Sequence, residues 1–107
     1  MSDDETPEVD IDHLAAAGDD ATVVDVRQFD EYAEGHVPGA MLIPMAQLAA
    51  RMHELDDSRP VYVVCASGNR SKAMTDVLRD AGFEARSVAG GTNAWIKSGR
   101  PIERATR

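Results

Sequence analysis

The stretch that decides the fold is VYVVCASGNRSKAMTDVL, residues 61–78. Four apolar residues run directly into Cys65, and such a run is typical of a strand buried on both faces of a sheet. A short loop containing Gly68 follows, and the segment after it has the apolar spacing of an amphipathic helix. This order predicts a βα unit with Cys65 at the carboxyl end of its strand.

The same alternation of strands and helices continues on both sides of this unit. Further strands are predicted at TVVDV (22–26), AMLI (40–43) and EARSV (84–88). Helices are predicted at IDHLAAAG (11–18), FDEYAEG (29–35), MAQLAARMHEL (45–55), SKAMTDVLRDAG (71–82) and TNAWIKSG (92–99). Most of these segments close on a glycine, which is a common helix stop.

Strands and helices that alternate through short connections predict an α/β fold, with a central, mostly parallel sheet and helices on both faces. In such sheets the ligand crevice lies beyond the carboxyl ends of the strands, where Cys65 is placed. The length of 107 residues suits one domain spanning residues 1–107. Residues 1–8 are acidic, and we expect them to form a flexible tail.

The charge distribution points away from polyanionic partners. The net charge is −8 at pH 7, whereas a nucleic-acid or anionic-membrane surface requires clustered Lys and Arg. Residues 58–75 nevertheless contain no carboxylate, while they include Arg59, Arg70 and Lys72. The chain's single cysteine therefore lies in a window that contains cations and no acids.

One cysteine permits neither an internal disulfide nor a multi-cysteine zinc site. We expect a reducing, cytoplasmic setting, and no metal or cofactor. No apolar run approaches the ~18 residues of a membrane span, and the acidic N-terminus is unlike a signal peptide. Any oxidation of Cys65 therefore has to be completed by an external molecule.

The loop after Cys65 is suited to hold an anion. Gly68 allows a positive φ, so that the amides of residues 66–71 can point at one spot, and a helix starting near Arg70 and Ser71 adds its free N–H groups. Cysteines in such positions titrate at about 3.5–7.5 instead of about 8.5. We therefore predict that Cys65 is largely a thiolate at neutral pH. The alternative is an inert core cysteine that ends a buried strand.

Four motifs in order and spacing resemble the rhodanese family: VVDVR (23–27), FDEYAEGHVPGA (29–40), CASGNRS (65–71) and GGTNAW (90–95). The resemblance covers nearly the whole chain. It implies an α/β domain with a parallel sheet and an active-site cysteine that carries sulfur as a persulfide. It further implies that the loop residues Ala66, Ser67, Gly68, Asn69, Arg70 and Ser71 bind the substrate or the persulfide.

Loop length separates this chemistry from that of cysteine phosphatases, which place five residues between Cys and Arg. Only four residues separate Cys65 from Arg70, so the ring is suited to one sulfur atom. The resemblance implies that Cys65 takes sulfur from thiosulfate or another sulfane donor and passes it to cyanide, a thiol or an acceptor protein. Ala66 stands where many members of the family carry a basic residue, which weakens the case for thiosulfate.

Other residues receive mainly structural interpretations. Asp25 and Arg27 are expected to support the site as a charged pair that pins neighbouring loops, with Glu31 as another structural partner. His36 is expected to be satisfied by backbone, and Trp95 to pack in the core. Two alternatives remain: a non-enzymatic module that carries sulfur or binds a partner, and a phosphatase or arsenate reductase on the same fold.

Overall fold

The computed structural model describes residues 6–105 and contains a five-stranded parallel sheet. The strands are β1 (Glu8–Val9), β2 (Thr22–Asp25), β3 (Met41–Leu42), β4 (Val61–Val64) and β5 (Ala85–Val88). Their order across the sheet is β1-β5-β4-β2-β3. The helices are α1 (Ile11–Ala17), α2 (Phe29–Glu34), α3 (Leu48–Arg51), α4 (Asn69–Asp80) and α5 (Gly91–Lys97). The prediction of an α/β fold with a parallel sheet is therefore confirmed.

The central strand β4 is buried on both faces, as its apolar run predicts. Its odd-numbered residues pack with Leu48 of α3 and Leu78 of α4. Its even-numbered residues pack with Leu14 of α1 and Trp95 of α5. Helices thus cover both faces of the sheet, and Cys65 follows β4 at its carboxyl edge. Among residues 6–105, no helix has the length and apolar character needed to cross a membrane.

The predicted long helix over 45–55 is wrong. A single α-helical turn, α3, is flanked by 3₁₀ turns at Met45–Gln47 and Met52–Glu54. Leu48 and Leu55 are buried in one core cluster, and this spacing is met by mixed turns as well as by a regular helix. Periodicity alone does not distinguish the two, because both bring the same residues to the core.

The N-terminal segment also differs from its prediction. Glu8, assigned to a flexible tail, lies in β1 and is paired with Ser87, while Pro7 accepts a hydrogen bond of 2.9 Å from the Ser87 amide. A two-residue edge strand held by backbone hydrogen bonds leaves little trace in an acidic sequence. Residues 1–5 of the predicted tail lie outside the described residues.

Candidate active site

The loop between β4 and α4 surrounds the sulfur of Cys65, whose residue is only 1% exposed. Gly68 adopts φ 113° immediately before the first residue of α4, so the predicted positive φ is confirmed. This conformation favours glycine and turns the chain back toward the sulfur. The helix begins at Asn69, one residue before Arg70, and the amide of Ser71 in its first turn hydrogen-bonds to the Cys65 sulfur.

Three residues of the loop, Ser67, Gly68 and Ser71, form hydrogen bonds with the Cys65 sulfur. The Gly68 amide donates to Cys65 Sγ at 3.0 Å, and Ser71 Oγ lies 3.5 Å from the same atom. Burial raises the pKa of the Cys65 thiol, but hydrogen bonds from the Ser71 hydroxyl and from the amides of Ser71, Gly68 and Ser67 outweigh it and leave the pKa below its ordinary value. The geometry therefore favours the thiolate, in the direction that the sequence predicts.

Fewer residues of the loop donate hydrogen bonds to the sulfur than the sequence predicts. Donors to the sulfur come from Ser67, Gly68 and Ser71, rather than from all six residues 66–71. Ala66 is half-buried, and Asn69 is exposed. Since a thiolate accepts only a few hydrogen bonds, three amides and one hydroxyl suffice to hold it.

The two cationic side chains beside the loop are paired with carboxylates. Arg70 donates to both carboxylate oxygens of Glu31, each at 3.0 Å, and Lys72 Nζ lies 3.6 Å from a carboxylate oxygen of Glu8. The Arg70 hydrogen bonds hold the pKa of Glu31 at about 2. The sequence window contains no acids, yet α2 and β1 bring acids to it from elsewhere in the chain. Arg70 and Lys72 therefore each have a carboxylate partner in the fold, although the sequence around Cys65 contains none.

The start of α5 fixes the other side of the loop. The Thr92 amide donates to the Cys65 carbonyl at 2.9 Å and the Asn93 amide donates to the Ala66 carbonyl at 3.0 Å. A Cβ on Gly91 would lie 2.3 Å from the Cys65 carbonyl oxygen. The absence of a side chain at Gly91 therefore allows the start of α5 to contact the backbone of the active-site loop. The contacts of Thr92 and Asn93 were missed, although these residues follow directly in GGTN.

Asp25 and Arg27 form a buried ion pair with an N–O distance of 2.8 Å. The same Arg27 guanidinium donates to the Gly35 carbonyl at 2.9 Å, so the pair joins the end of β2 to the end of α2. Neither residue is hydrogen-bonded to Cys65 within residues 6–105, and the supporting role of both residues stays a prediction.

His36 and Trp95 have the structural roles expected of them. His36 Nδ1 lies 2.8 Å from the Tyr32 carbonyl oxygen and its ring stacks on Tyr32 with centroids 3.6 Å apart. Trp95 is 7% exposed in the core, and its indole N–H donates to the Pro101 carbonyl.

A cavity of about 260 Å³ opens beside the loop at Ala66. It is lined by Arg27, Glu31, Glu34, Gly35, Ala66, Asn93 and Ile96. Its charged groups include the carboxylate of Glu34, which has no ion-pair or hydrogen-bond partner among residues 6–105. The other two charged residues of the lining are paired, Arg27 with Asp25 and Glu31 with Arg70, so Glu34 adds an unpaired negative charge to this cavity.

Several known proteins are similar to this chain in sequence. The chain is 37% identical over 86 residues to the HTH-type transcriptional regulator Rv0324 of Mycobacterium tuberculosis, and 32% identical over 74 residues to the putative sulfur carrier protein YrkF of Bacillus subtilis. These matches cover 78% and 68% of this chain, but only 38% and 40% of the two relatives. A sulfurtransferase of Allochromatium vinosum is 34% identical over 99 residues, covering 89% of this chain and 92% of that protein.

The structural and family comparisons agree. The crystal structure of a rhodanese-related protein from Thermoplasma volcanium matches with a TM-score of 0.88 at 29% identity, covering 92% of this chain and 99% of the other. The family described as the rhodanese-like domain matches residues 10–98. From the loop around Cys65, the parallel sheet that presents it and these matches, we conclude that the chain belongs to the rhodanese family.

Proposed function

We propose that the chain is a sulfurtransferase that carries sulfane sulfur on Cys65 as a persulfide. The observation that carries this proposal is the hydrogen bond of 3.0 Å from the Gly68 amide to the Cys65 sulfur, reinforced by Ser67 and Ser71. Preorganised donors around a buried sulfur stabilise a negative charge there without reorganisation during the reaction. The same donors suit the thiolate that attacks and the persulfide that results.

The reaction has two halves. The Cys65 thiolate attacks the outer sulfur of the donor, and the bond from that sulfur to the rest of the donor breaks. From thiosulfate, sulfite leaves with the bonding electron pair; from an organic persulfide, a thiolate leaves. An acceptor such as cyanide or a thiol then attacks the terminal sulfur of the Cys65 persulfide, and Cys65 departs as a thiolate. This is covalent catalysis with ping-pong kinetics.

The charges around the loop favour one donor class. Thiosulfate is a dianion, and the cations that would attract it are paired with Glu31 and Glu8. Ala66 supplies no charge, and Glu34 adds a negative one at the cavity rim. The persulfide of an uncharged thiol carries one negative charge instead of two, so it depends less on such cations. We therefore assign an organic persulfide as the preferred donor, with thiosulfate as a slower one.

A sulfur-carrier role is the second candidate. In that role the Cys65 persulfide passes its sulfur to an acceptor protein, and turnover with small acceptors is slow. The resemblance to a putative sulfur carrier protein favours this candidate. A phosphatase or arsenate reductase is disfavoured by the four-residue loop and by the absence of a second cysteine from the sequence.

Intact-mass spectrometry tests the proposal. The native chain and Cys65→Ser are each incubated with thiosulfate or with the persulfide of an uncharged thiol such as 2-mercaptoethanol. We expect one added sulfur atom on the native chain, formed faster from the persulfide, and none on Cys65→Ser. Adding cyanide or a thiol should remove the sulfur; removal only by a protein acceptor identifies the carrier role. Hydrolysis of p-nitrophenyl phosphate without any sulfur loading would contradict both roles.

A further inference from the structure

A second buried serine lies behind the active-site loop. Ser87 belongs to β5, is 0% exposed, and places its Oγ 2.7 Å from Ser71 Oγ. Ser71 is equally buried and its Oγ lies 3.5 Å from Cys65 Sγ. Two hydroxyl groups therefore form a chain that leads from the sheet to the sulfur. The loop motif contains Ser71 but gives no indication of Ser87, which is 16 residues further along the chain.

The available acceptors decide which serine donates. Ser71 Oγ also lies 3.1 Å from the Gly68 carbonyl oxygen, so its hydrogen has an acceptor besides Ser87. The Ser87 hydroxyl has no partner except Ser71 within residues 6–105. If Ser71 donated to Ser87, the Ser87 hydrogen would be buried and unpaired, which costs about 1–3 kcal/mol. The arrangement that pairs both hydrogens is therefore donation from Ser87 to Ser71.

This direction suits both protonation states of Cys65. In the thiol, the S–H donates to Ser71 Oγ, and the Ser71 hydrogen points to the Gly68 carbonyl. In the thiolate, the Ser71 hydrogen turns to the sulfur, and only a hydroxyl rotation is needed. The Gly68 carbonyl is not left unpaired by this rotation, because it also accepts from the Lys72 amide at 3.3 Å.

We propose that Ser87 is a positioning residue for the nucleophile: its hydroxyl donates to Ser71 Oγ, so that the Ser71 hydrogen is available to the ionised sulfur. Donation to a hydroxyl oxygen strengthens that hydroxyl as a donor, because hydrogen bonds in a chain polarise one another. Ser87 acts only through Ser71 and does not touch the substrate. The role rests on the proposed use of Cys65 as a nucleophile.

The test is the pH dependence of Cys65 alkylation by iodoacetamide, which reports the thiolate without requiring sulfur transfer. Ser87→Ala should raise the apparent pKa of Cys65 and slow alkylation at neutral pH severalfold. Thr75→Val is the matched control, since Thr75 of α4 is as fully buried as Ser87 of β5, and its hydroxyl has no hydrogen-bond partner in the described part of the chain. This control should leave the pH profile unchanged.

A double-variant cycle separates positioning from packing. If Ser87 acts through Ser71, Ser87→Ala should have no further effect on the alkylation profile in a Ser71→Ala background, and Ser87→Thr should restore most of the native profile. A native profile in Ser87→Ala, or equal and additive shifts in both backgrounds, would overturn the proposal. Alkylation needs no sulfane donor, so the two proposals can fail separately. If Ser87→Ala raises the apparent pKa of Cys65 as expected but no sulfur is loaded onto Cys65, only the sulfurtransferase proposal is refuted.

Discussion

Arg70 and Glu31 are joined by two parallel hydrogen bonds of 3.0 Å, although 39 residues separate them in the sequence. The pair ties the first turn of α4 to the first turn of α2 across the mouth of the active site. Both side chains are about one-third exposed, so the pair contributes little to the free energy of unfolding. It changes the local electrostatics more, because the two opposite charges offset each other. Its main effect is to withdraw a cation from any anion that approaches Cys65.

Glu31→Gln should therefore improve the use of thiosulfate. Freeing the Arg70 charge gives the dianion an attractive partner beside the sulfur, and we expect kcat/KM for thiosulfate to rise severalfold, mainly through KM. The gain should shrink at high salt, because partly exposed charges are screened. Glu34→Gln is the control, since it removes the same charge from the same cavity without freeing a cation. Equal gains in the two variants would show that Arg70 is not responsible.

Introducing a cation at position 66 should act in the same direction. Ala66 lines the cavity and follows Cys65 in the sequence, so Ala66→Arg places a positive charge next to the thiol. We expect faster persulfide formation from the thiosulfate dianion and a smaller acceleration with the singly charged persulfide of an uncharged thiol. Single-turnover loading followed by mass spectrometry measures both rates. Similar acceleration with both donors would indicate a general effect on the thiolate.

Acid should weaken the folded state through Glu31. Its pKa is about 2 in the folded chain, against an ordinary value of 4.5, so its carboxylate stabilises the folded state above pH 4.5. That contribution is lost as the pH falls from about 4.5 to about 2, because the folded chain resists the protonation that the unfolded chain accepts. Urea denaturation at about pH 5 and about pH 3 should show a larger loss in the native chain than in Glu31→Gln. Parallel losses would contradict this assignment.

Gly91→Ala should damage the site as well as the fold. The new Cβ would lie 2.3 Å from the Cys65 carbonyl oxygen, so α5 or the loop has to move. Gly82→Ala is the control, because Gly82 also has a positive φ but has open space around its Cβ position. We expect Gly91→Ala to cost about 1–3 kcal/mol more than Gly82→Ala in the free energy of unfolding, and to slow Cys65 alkylation. Equal stabilities would mean that the contact is easily relieved.

Asp25→Ala should be severely destabilising. It leaves the buried Arg27 guanidinium without its carboxylate, and such a change costs about 3–5 kcal/mol. Glu84→Ala removes the partner of Arg86 from an exposed pair and should cost less than about 1 kcal/mol. Chemical denaturation of the two variants measures the difference. A loss for Asp25→Ala as small as that for Glu84→Ala would show that water reaches Arg27.

The sequence predicts most of the architecture because the signals in β4 and α4 are strong. An apolar run identifies the buried strand, and glycines mark the ends of several helices. The prediction of one long helix over 45–55 is wrong because Leu48 and Leu55 reach the core through a mixture of turns. The edge strand β1 is not predicted because it is two residues long and its pairing with β5 is made by backbone groups.

The candidate site is predicted in position but not in electrostatics. The CASGNRS motif places the thiol, the glycine with positive φ and the helix start in one local segment, so its geometry follows from sequence. The carboxylates of Glu31 and Glu8 reach Arg70 and Lys72 only through the folded sheet. Ser87 reaches Ser71 in the same way. Pairings between distant segments leave no local pattern, and one sequence alone does not disclose them.

The amides of Thr92 and Asn93 that hold the first two carbonyls of the active-site loop limit how the loop can change. A residue inserted between Cys65 and Ala66 would separate one of these carbonyls from its amide, and Gly91 leaves no free space there. The first turn of α5 thus acts as a template for the opening two residues of the loop, and lengthening the loop at this point would also require α5 to move.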